Sequence, residues 1–188
     1  MTDQLAGVIR GLDSAEARLE KLAESIPADR WPLRHDPERW SVAECVAHLN
    51  LTSAAYIPLI RAAIAEARQA RAGGQKTTRY KRDPVGWFFS TMTGPVPSLG
   101  RFRFGRVKTT ADFIPIRLDP QQTLLVDFKR HQLELTGMAR EGDGLALDKV
   151  FITSPFGGRL RYNCYSAFVI LPRHQERHLD QAERVWTD

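Results

Sequence analysis

Cysteine is scarce: Cys45 and Cys164 are the two in 188 residues. Such a chain is not a disulfide-built scaffold, and because both cysteines fall in segments with helical spacing, free buried thiols are expected. Long apolar runs are missing as well. None approaches the ~20 residues that a membrane-spanning helix needs. The first ten residues, Met1 to Arg10, show no basic stretch followed by an apolar one. A cytoplasmic protein is therefore expected. No repeat at a spacing of 20–50 residues and no low-complexity tract occurs, which excludes solenoids and disordered tails. What remains is ordinary globular composition, 43 % hydrophobic and 26 % charged. The expectation is a single domain over residues 1–188, long enough to bury a sizeable core without staples.

Lysine is scarce too, and its place is taken by arginine in an uneven way. Nine basic residues lie between Arg71 and Lys108, with Asp83 as the lone acid there, so that segment carries +8 of a net charge of +5. The remainder is slightly acidic. A local basic patch points to an anionic partner such as a carboxylate-bearing small molecule, a phosphate, nucleic acid or an acidic protein face; the plainer reading is a solvated loop.

Four segments carry the 3.6-residue apolar period of an amphipathic helix. The first runs from Asp3 to about Ile26, through Leu5, Val8, Leu12, Ala15, Leu19 and Leu22, with Thr2 or Asp3 as cap. The second opens on Ser41-Val42-Ala43-Glu44, a capping box, and runs to about Arg71, with Gly73-Gly74 ending it. Pro58 lies inside and predicts a bend or break near Ala54 to Ile57. The third starts at Asp119-Pro120, read as cap and first helical position, and ends before Gly142. The fourth runs from about Tyr162 to Trp186 with a kink expected at Pro172. Gly73 to Asp119 reads as a long irregular crossover with apolar clusters and a short helix over Pro84 to Thr91; Lys149 to Leu160 reads as a loop. With no convincing strand pairs, the fold class is all-α, a bundle of four helices.

The chemistry sits on histidine. His174 and His178 are four apart on the fourth helix, a separation of ~400° and ~6 Å, so both project from one face. That face is otherwise an apolar stripe. Such a pair presents two nitrogens to one metal ion. The spelling His174-Gln175-Glu176-Arg177-His178 lacks the glutamate next to the first histidine that a zincin needs, and Glu176 faces away, which excludes that protease reading. His48 on the second helix supplies a third imidazole. Three imidazoles without an obvious fourth ligand make an open, catalytic type of site. His131, on an apolar face, is a further candidate ligand or a core histidine. His35, among prolines, is expected at the surface. Gln181, one turn past His178, is placed to hydrogen-bond an imidazole or a bound water, or simply to pack.

Trp40-Ser41-Val42-Ala43-Glu44-Cys45-Val46-Ala47-His48-Leu49 resembles a signature of DinB/YfiT-like proteins. Ser154-Pro155-Phe156-Gly157, followed by His174 to Gln181, is similar to the ending of the same family. The resemblance covers nearly the whole chain. It implies an up-down-down-up four-helix bundle with the long crossover between helices two and three. It also implies a metal triad of His48, His174 and His178 holding a divalent ion, commonly nickel or zinc. Related enzymes are thiol S-transferases and isomerases that use bacillithiol, mycothiol or glutathione.

The function expected on these grounds is metal-dependent transfer of a low-molecular-weight thiol to an electrophile. An ion on three imidazoles lowers the pKa of a bound thiol from ~8.5, so that the thiolate exists at neutral pH. Arg101, Arg103 and Arg106 of the crossover are candidates for binding an anionic thiol. The alternatives are a metal-dependent hydrolase, or a ligand- or nucleic-acid-binding module without chemistry. No helix-turn-helix or RNA-binding signature supports nucleic acid. Neither cysteine has a nucleophile's surroundings. A homodimer is expected, with Trp87-Phe88-Phe89 as a contact.

Overall fold

The structure is a computed structural model that describes residues 1–70, 76–94, 98–99, 102–103, 109–157 and 160–187; for Ser98, Leu99, Phe102, Arg103 and Thr187 it describes the backbone alone. The described residues are mostly helical. Five α-helices follow in order: α1 (Asp3–Ser25), α2 (Val42–Ala70), α3 (Pro84–Met92), α4 (Gln121–Glu141) and α5 (Cys164–Thr187). Two small antiparallel pairs accompany them. β1 (Ser98–Leu99) pairs with β2 (Phe102–Arg103), and β3 (Phe151–Thr153) pairs with β4 (Arg161–Asn163), with Ile152 opposite Tyr162. These pairs correct the expectation of no strands and of a plain loop over Lys149 to Leu160. Strands of two or three residues are too short to show a period in sequence.

α1 forms as its spacing predicts, and Leu5, Val8, Leu12, Ala15, Leu19 and Leu22 are all buried. Thr2 stands at its cap position without a side-chain cap; its backbone N–H instead donates to Asp143 Oδ1 at 2.7 Å. α2 opens on the predicted capping box. Ser41 N–H donates to Glu44 Oε2 at 2.8 Å, and Glu44 N–H donates to Ser41 Oγ at 3.2 Å. Arg34 closes on the same carboxylate through Nε at 2.8 Å and a second bond through Nη2. Burial of Glu44 favours its neutral form, but Arg34 and the Ser41 N–H outweigh that, and its pKa is lowered.

Pro58 does not break α2, which runs unbroken past it. The proline removes the helix bond to the Ala54 carbonyl, yet Ala54 and Pro58 both lie on the exposed face, where water can take that bond. Likewise α5 continues through Pro172. There the proline packs into a gap left by Gly11 on α1: a Cβ on Gly11 would lie 2.9 Å from Pro172 Cβ. α5 begins at Cys164, since Tyr162 belongs to β4. α4 begins one residue later than predicted. Pro120 is its cap, accepting from Leu124 N–H at 3.1 Å, and Gln121 is its first helical residue. The glycines expected to end α2 lie outside the described residues.

α1 and α2 each pack against both α4 and α5. Cross-helix pairs between α2 and α4 advance together along both helices: Asn50 with Leu124, Arg61 with Glu134, Arg68 with Glu141. Pairs between α1 and α5 do the same, from Gln4 with Tyr165 to Arg18 with Asp180 and Glu183. The core falls into two apolar clusters. One is built around Leu5, Tyr56, Leu135 and Phe168, the other around Leu19, Trp31, Val46 and Phe128. Between them lies a buried polar layer of His48, Asn50, Thr52 and Ser53 on α2, His131 and Gln132 on α4, and His174 and Gln175 on α5. Gln132 and Gln175 exchange amide hydrogen bonds across it at 3.1 and 2.8 Å, and Gln132 also donates to the Leu12 carbonyl at 2.6 Å.

Candidate metal centre

The polar layer holds the three predicted histidines. His48 sits on the second turn of α2, behind the capping box, and His174 and His178 stand one turn apart on α5. His48 and His174 are buried and His178 is half-buried. One ring nitrogen of each lies within 4.8 Å of the other two. His48 Nε2 and His174 Nε2 are 3.3 Å apart.

The ring of His48 is held from behind. Its Nδ1 lies 2.8 Å from the carbonyl oxygen of Phe113. A carbonyl only accepts, so Nδ1 carries the proton and Nε2 presents its lone pair to the other two rings. Phe113 belongs to a short 3-10 turn, Ala111–Phe113, in the crossover. The crossover thus reaches the site through a backbone carbonyl that no side-chain motif announces.

All three imidazoles are held neutral. Burial lowers the pKa of His48, although the Phe113 carbonyl works the other way. Burial pushes His174 well below the usual value, and the neighbouring His178, His48 and Arg177 add to it. His178 is driven down to about 3, first by burial and then by His48 and Arg177, with a Gln181 hydrogen bond opposing. Neutral imidazole is the form that ligates a metal.

Three aromatic rings wall the cluster. Trp40 lies 6.0 Å from His178 at an interplanar angle of 24°, and 5.1 Å from His48. Phe156, from the turn between β3 and β4, lies 5.7 Å from His174 and 4.7 Å from Phe113. Its turn is shaped by Gly157, whose φ of 89° favours glycine. The same hairpin is tied to α2 where the Tyr162 hydroxyl meets that of Tyr56.

The donor set suits a divalent ion. The lone pair of His48 Nε2 faces His174 Nε2 at 3.3 Å, a contact that a proton on His174 or a cation between the two nitrogens would satisfy, and three neutral imidazoles match nickel or zinc. Among the described residues no carboxylate or thiolate joins the group. Other buried polar atoms of the layer also lack a hydrogen-bond partner among the described residues: Asn50 Oδ1, Thr52 Oγ1, His131 Nδ1 and His174 Nδ1.

A family model described as the DinB superfamily matches residues 12–182. The chain belongs to the DinB superfamily. The match spans α2 and α5 and so takes in all three histidines of the cluster. No curated protein and no solved structure matches this DinB-superfamily chain.

The other predicted site residues fall elsewhere. His131 is buried in the polar layer but is not one of the three clustered nitrogens, and His35 is exposed as expected. Arg101 and Arg106 lie outside the described residues, and Arg103 is described only as backbone in β2. Both cysteines are free and buried; burial raises the Cys45 thiol strongly and the Cys164 thiol to about 12, so neither is a nucleophile at neutral pH. The sequence reading passed over Phe113 and Arg177. Arg177 follows from its position between His174 and His178, but the Phe113 carbonyl has no sequence signal.

Proposed function

We propose that His48, His174 and His178 hold one divalent ion, nickel or zinc, and that the chain is a metal-dependent thiol S-transferase acting with a low-molecular-weight thiol and a small electrophile. The observation that carries the metal is the 3.3 Å approach of two imidazole Nε2 atoms, one of which has its proton held away by Phe113. When bound, the ion would supply a site where a thiol loses its proton at neutral pH. The residues of this chain do the rest. His48 is oriented by the Phe113 carbonyl, so its lone pair needs no reorganisation. Trp40, Phe113 and Phe156 exclude water on their sides of the cluster. Arg177, half-buried and next to His178 in the chain, adds a positive charge that is felt at both His174 and His178 and would favour an anionic ligand on the ion.

Transfer is favoured over hydrolysis because no acidic side chain joins the cluster among the described residues to act as base on a water. The reading includes an up-down-down-up four-helix bundle in one domain. The parallel advance of α2 with α4 and of α1 with α5 supports it. A cytoplasmic homodimer that binds the anionic thiol through Arg101, Arg103 and Arg106 completes the proposal.

Metal content measured by mass spectrometry on protein purified without a histidine tag tests the centre, beside His48→Ala and His174→Ala. Near-stoichiometric metal that is lost in both variants supports it, and conjugation assays with candidate thiols then test the transfer. Protein that stays metal-free after addition of nickel and zinc overturns it.

A further inference from the structure

α3 carries large apolar residues on the side turned away from the protein. Pro84, Trp87, Phe88 and Thr91, at i, i+3, i+4 and i+7, form its exposed arc, and Trp87 and Phe88 are each 55 % exposed. Gly86 and Ser90 are its buried positions, and the helix packs on α5 and β4. Phe89 is half-buried and meets Tyr162 of β4 at 6.1 Å. The orientation is fixed at both ends of the helix. A Cβ on Gly86 would fall 2.1 Å from Ser166 Oγ, so α3 has no room to roll on α5. Asp83 accepts from the Gly86 N–H at 3.1 Å, the Asn163 N–H at 2.9 Å and the Ser166 hydroxyl at 3.1 Å. At the other end, Arg173 Nε donates to the Ser90 carbonyl at 2.6 Å and Arg177 Nη1 to the Met92 carbonyl at 2.8 Å. The fold therefore holds the two rings outward.

The chain leading into α3 is basic. Arg79, Lys81 and Arg82 are exposed, and Arg82 lies along the helix, with Nη1 donating to Ser90 Oγ at 2.7 Å. The acids nearby face inward to donors: Asp83 as above, and Asp148 accepting from the Lys81 N–H at 3.3 Å. After Asp83 the next acid in the chain is Asp112. We propose that α3 docks the protein on an anionic phospholipid surface, with Trp87 and Phe88 entering the boundary between headgroups and acyl chains and Arg79, Lys81 and Arg82 meeting the phosphates. Area favours lipid over a protein partner. Two rings at this exposure offer about 200–250 Å², whereas a stable protein interface takes about 800 Å² from each side. A two-fold contact between copies through this face would set the same basic residues against each other. Successive helix residues point ~100° apart, which spreads the two rings over a surface instead of stacking them as a platform for bases. A lipid surface asks for no complementary shape, only apolar rings at the boundary and cations beside them.

Co-sedimentation of the full chain with phosphatidylcholine vesicles holding about one-third phosphatidylserine tests this, beside vesicles of phosphatidylcholine alone. The expected result is partition onto the anionic vesicles at least about tenfold stronger than onto the neutral ones, and weaker as salt is raised. Trp87→Ala/Phe88→Ala should lower that partition at least about tenfold, and each single variant should show part of the loss. Arg79→Gln/Lys81→Gln should lower it by about tenfold or more. All four side chains are exposed, so the variants should keep the wild-type circular dichroism. Leu133→Ala, which trims an exposed side chain of α4, should leave partition unchanged. No partition of the wild type onto the anionic vesicles overturns the proposal. So does partition that survives in Trp87→Ala/Phe88→Ala, or a loss of equal size in Leu133→Ala. A wild type that stays off the vesicles but forms a dimer by light scattering, lost in Trp87→Ala/Phe88→Ala, would make the face a contact between copies. One that instead binds single-stranded DNA through these rings would make it a nucleic-acid surface. Either result overturns the lipid assignment.

Discussion

His48 Nδ1 donates to the carbonyl oxygen of Phe113 at 2.8 Å, so the first histidine of the cluster is aimed by a residue 65 positions further along the chain. The link joins α2 to the crossover and makes the tautomer of His48 a property of the fold. A side-chain substitution at Phe113 leaves the carbonyl in place but removes the ring that packs against Phe156.

Metal binding should raise thermal stability, because the unfolded chain holds no preformed site. At a hundredfold excess over Kd the gain is about 2.7 kcal/mol, or roughly 5–10 °C in Tm for a domain of this size. In His174→Leu the rise should vanish. The metal-free variant should lose no more than about 1–2 kcal/mol, since the lost Nδ1 has no hydrogen-bond partner among the described residues and the contact of Nε2 with His48 is at most a single hydrogen bond. Differential scanning fluorimetry with and without nickel or zinc reads both; a rise that persists in the variant contradicts the site.

His131 sets an acid limit that is independent of the metal. Burial lowers its pKa, with Arg130 adding and Asp127 and Glu134 opposing. The unfolded chain binds a proton at this residue below ~6.5, and the folded chain does so only at lower pH. Its contribution is therefore fully present above ~6.5 and lost as pH falls toward the lowered value, with a limiting slope of about 1.4 kcal/mol per pH unit. His131→Leu should flatten the fall in denaturation midpoint between pH 7 and pH 5 relative to wild type. Parallel curves for the two proteins would show that His131 does not titrate differently on folding.

Two helical glycines should respond to alanine with opposite signs. At Gly137 in α4 a Cβ meets nothing within 4 Å, so Gly137→Ala should stabilise by about 0.5–1 kcal/mol through reduced chain entropy. At Gly11 the same Cβ lies 2.9 Å from Pro172, and α1 and α5 must part, so Gly11→Ala should destabilise by about 1–3 kcal/mol. Urea midpoints distinguish them, and a gain at Gly11 would mean that the two helices are not in close contact.

Neighbouring leucines on α4 should divide in the same way. Leu135 is 0 % exposed and Leu133 is 68 % exposed. Leu135→Ala should cost about 2–5 kcal/mol, whereas Leu133→Ala should stay within about 0.5 kcal/mol. Equal losses by chemical denaturation would place Leu133 in an interface that covers it in solution.

Much of this molecule is legible in its residues. The spacing of Leu5, Val8, Leu12, Leu19 and Leu22 specifies α1 because a helix turns ~100° per residue and only that period keeps them on one face. Ser41 and Glu44 announce the start of α2 because a hydroxyl and a carboxylate three residues apart satisfy each other's end of the helix. The four-residue interval of His174 and His178 is equally local. Elsewhere local rules mislead. Pro58 reads as a bend or break and Pro172 as a kink, yet both helices run on past them, where solvent at Ala54 and the gap at Gly11 make room. The three-residue strands around Phe156 are too short for a period.

The sequence by itself determined the long helices, the capping box of α2, and which histidines share a face, because those properties depend on residues within one or two turns. Only the tertiary structure decided that His48 meets His174 at 3.3 Å, that a carbonyl of Phe113 fixes its proton, and that Trp40 and Phe156 wall the cluster. Those relations join residues far apart in the chain, and they exist because packing two apolar clusters leaves one buried layer where polar side chains must find partners among themselves.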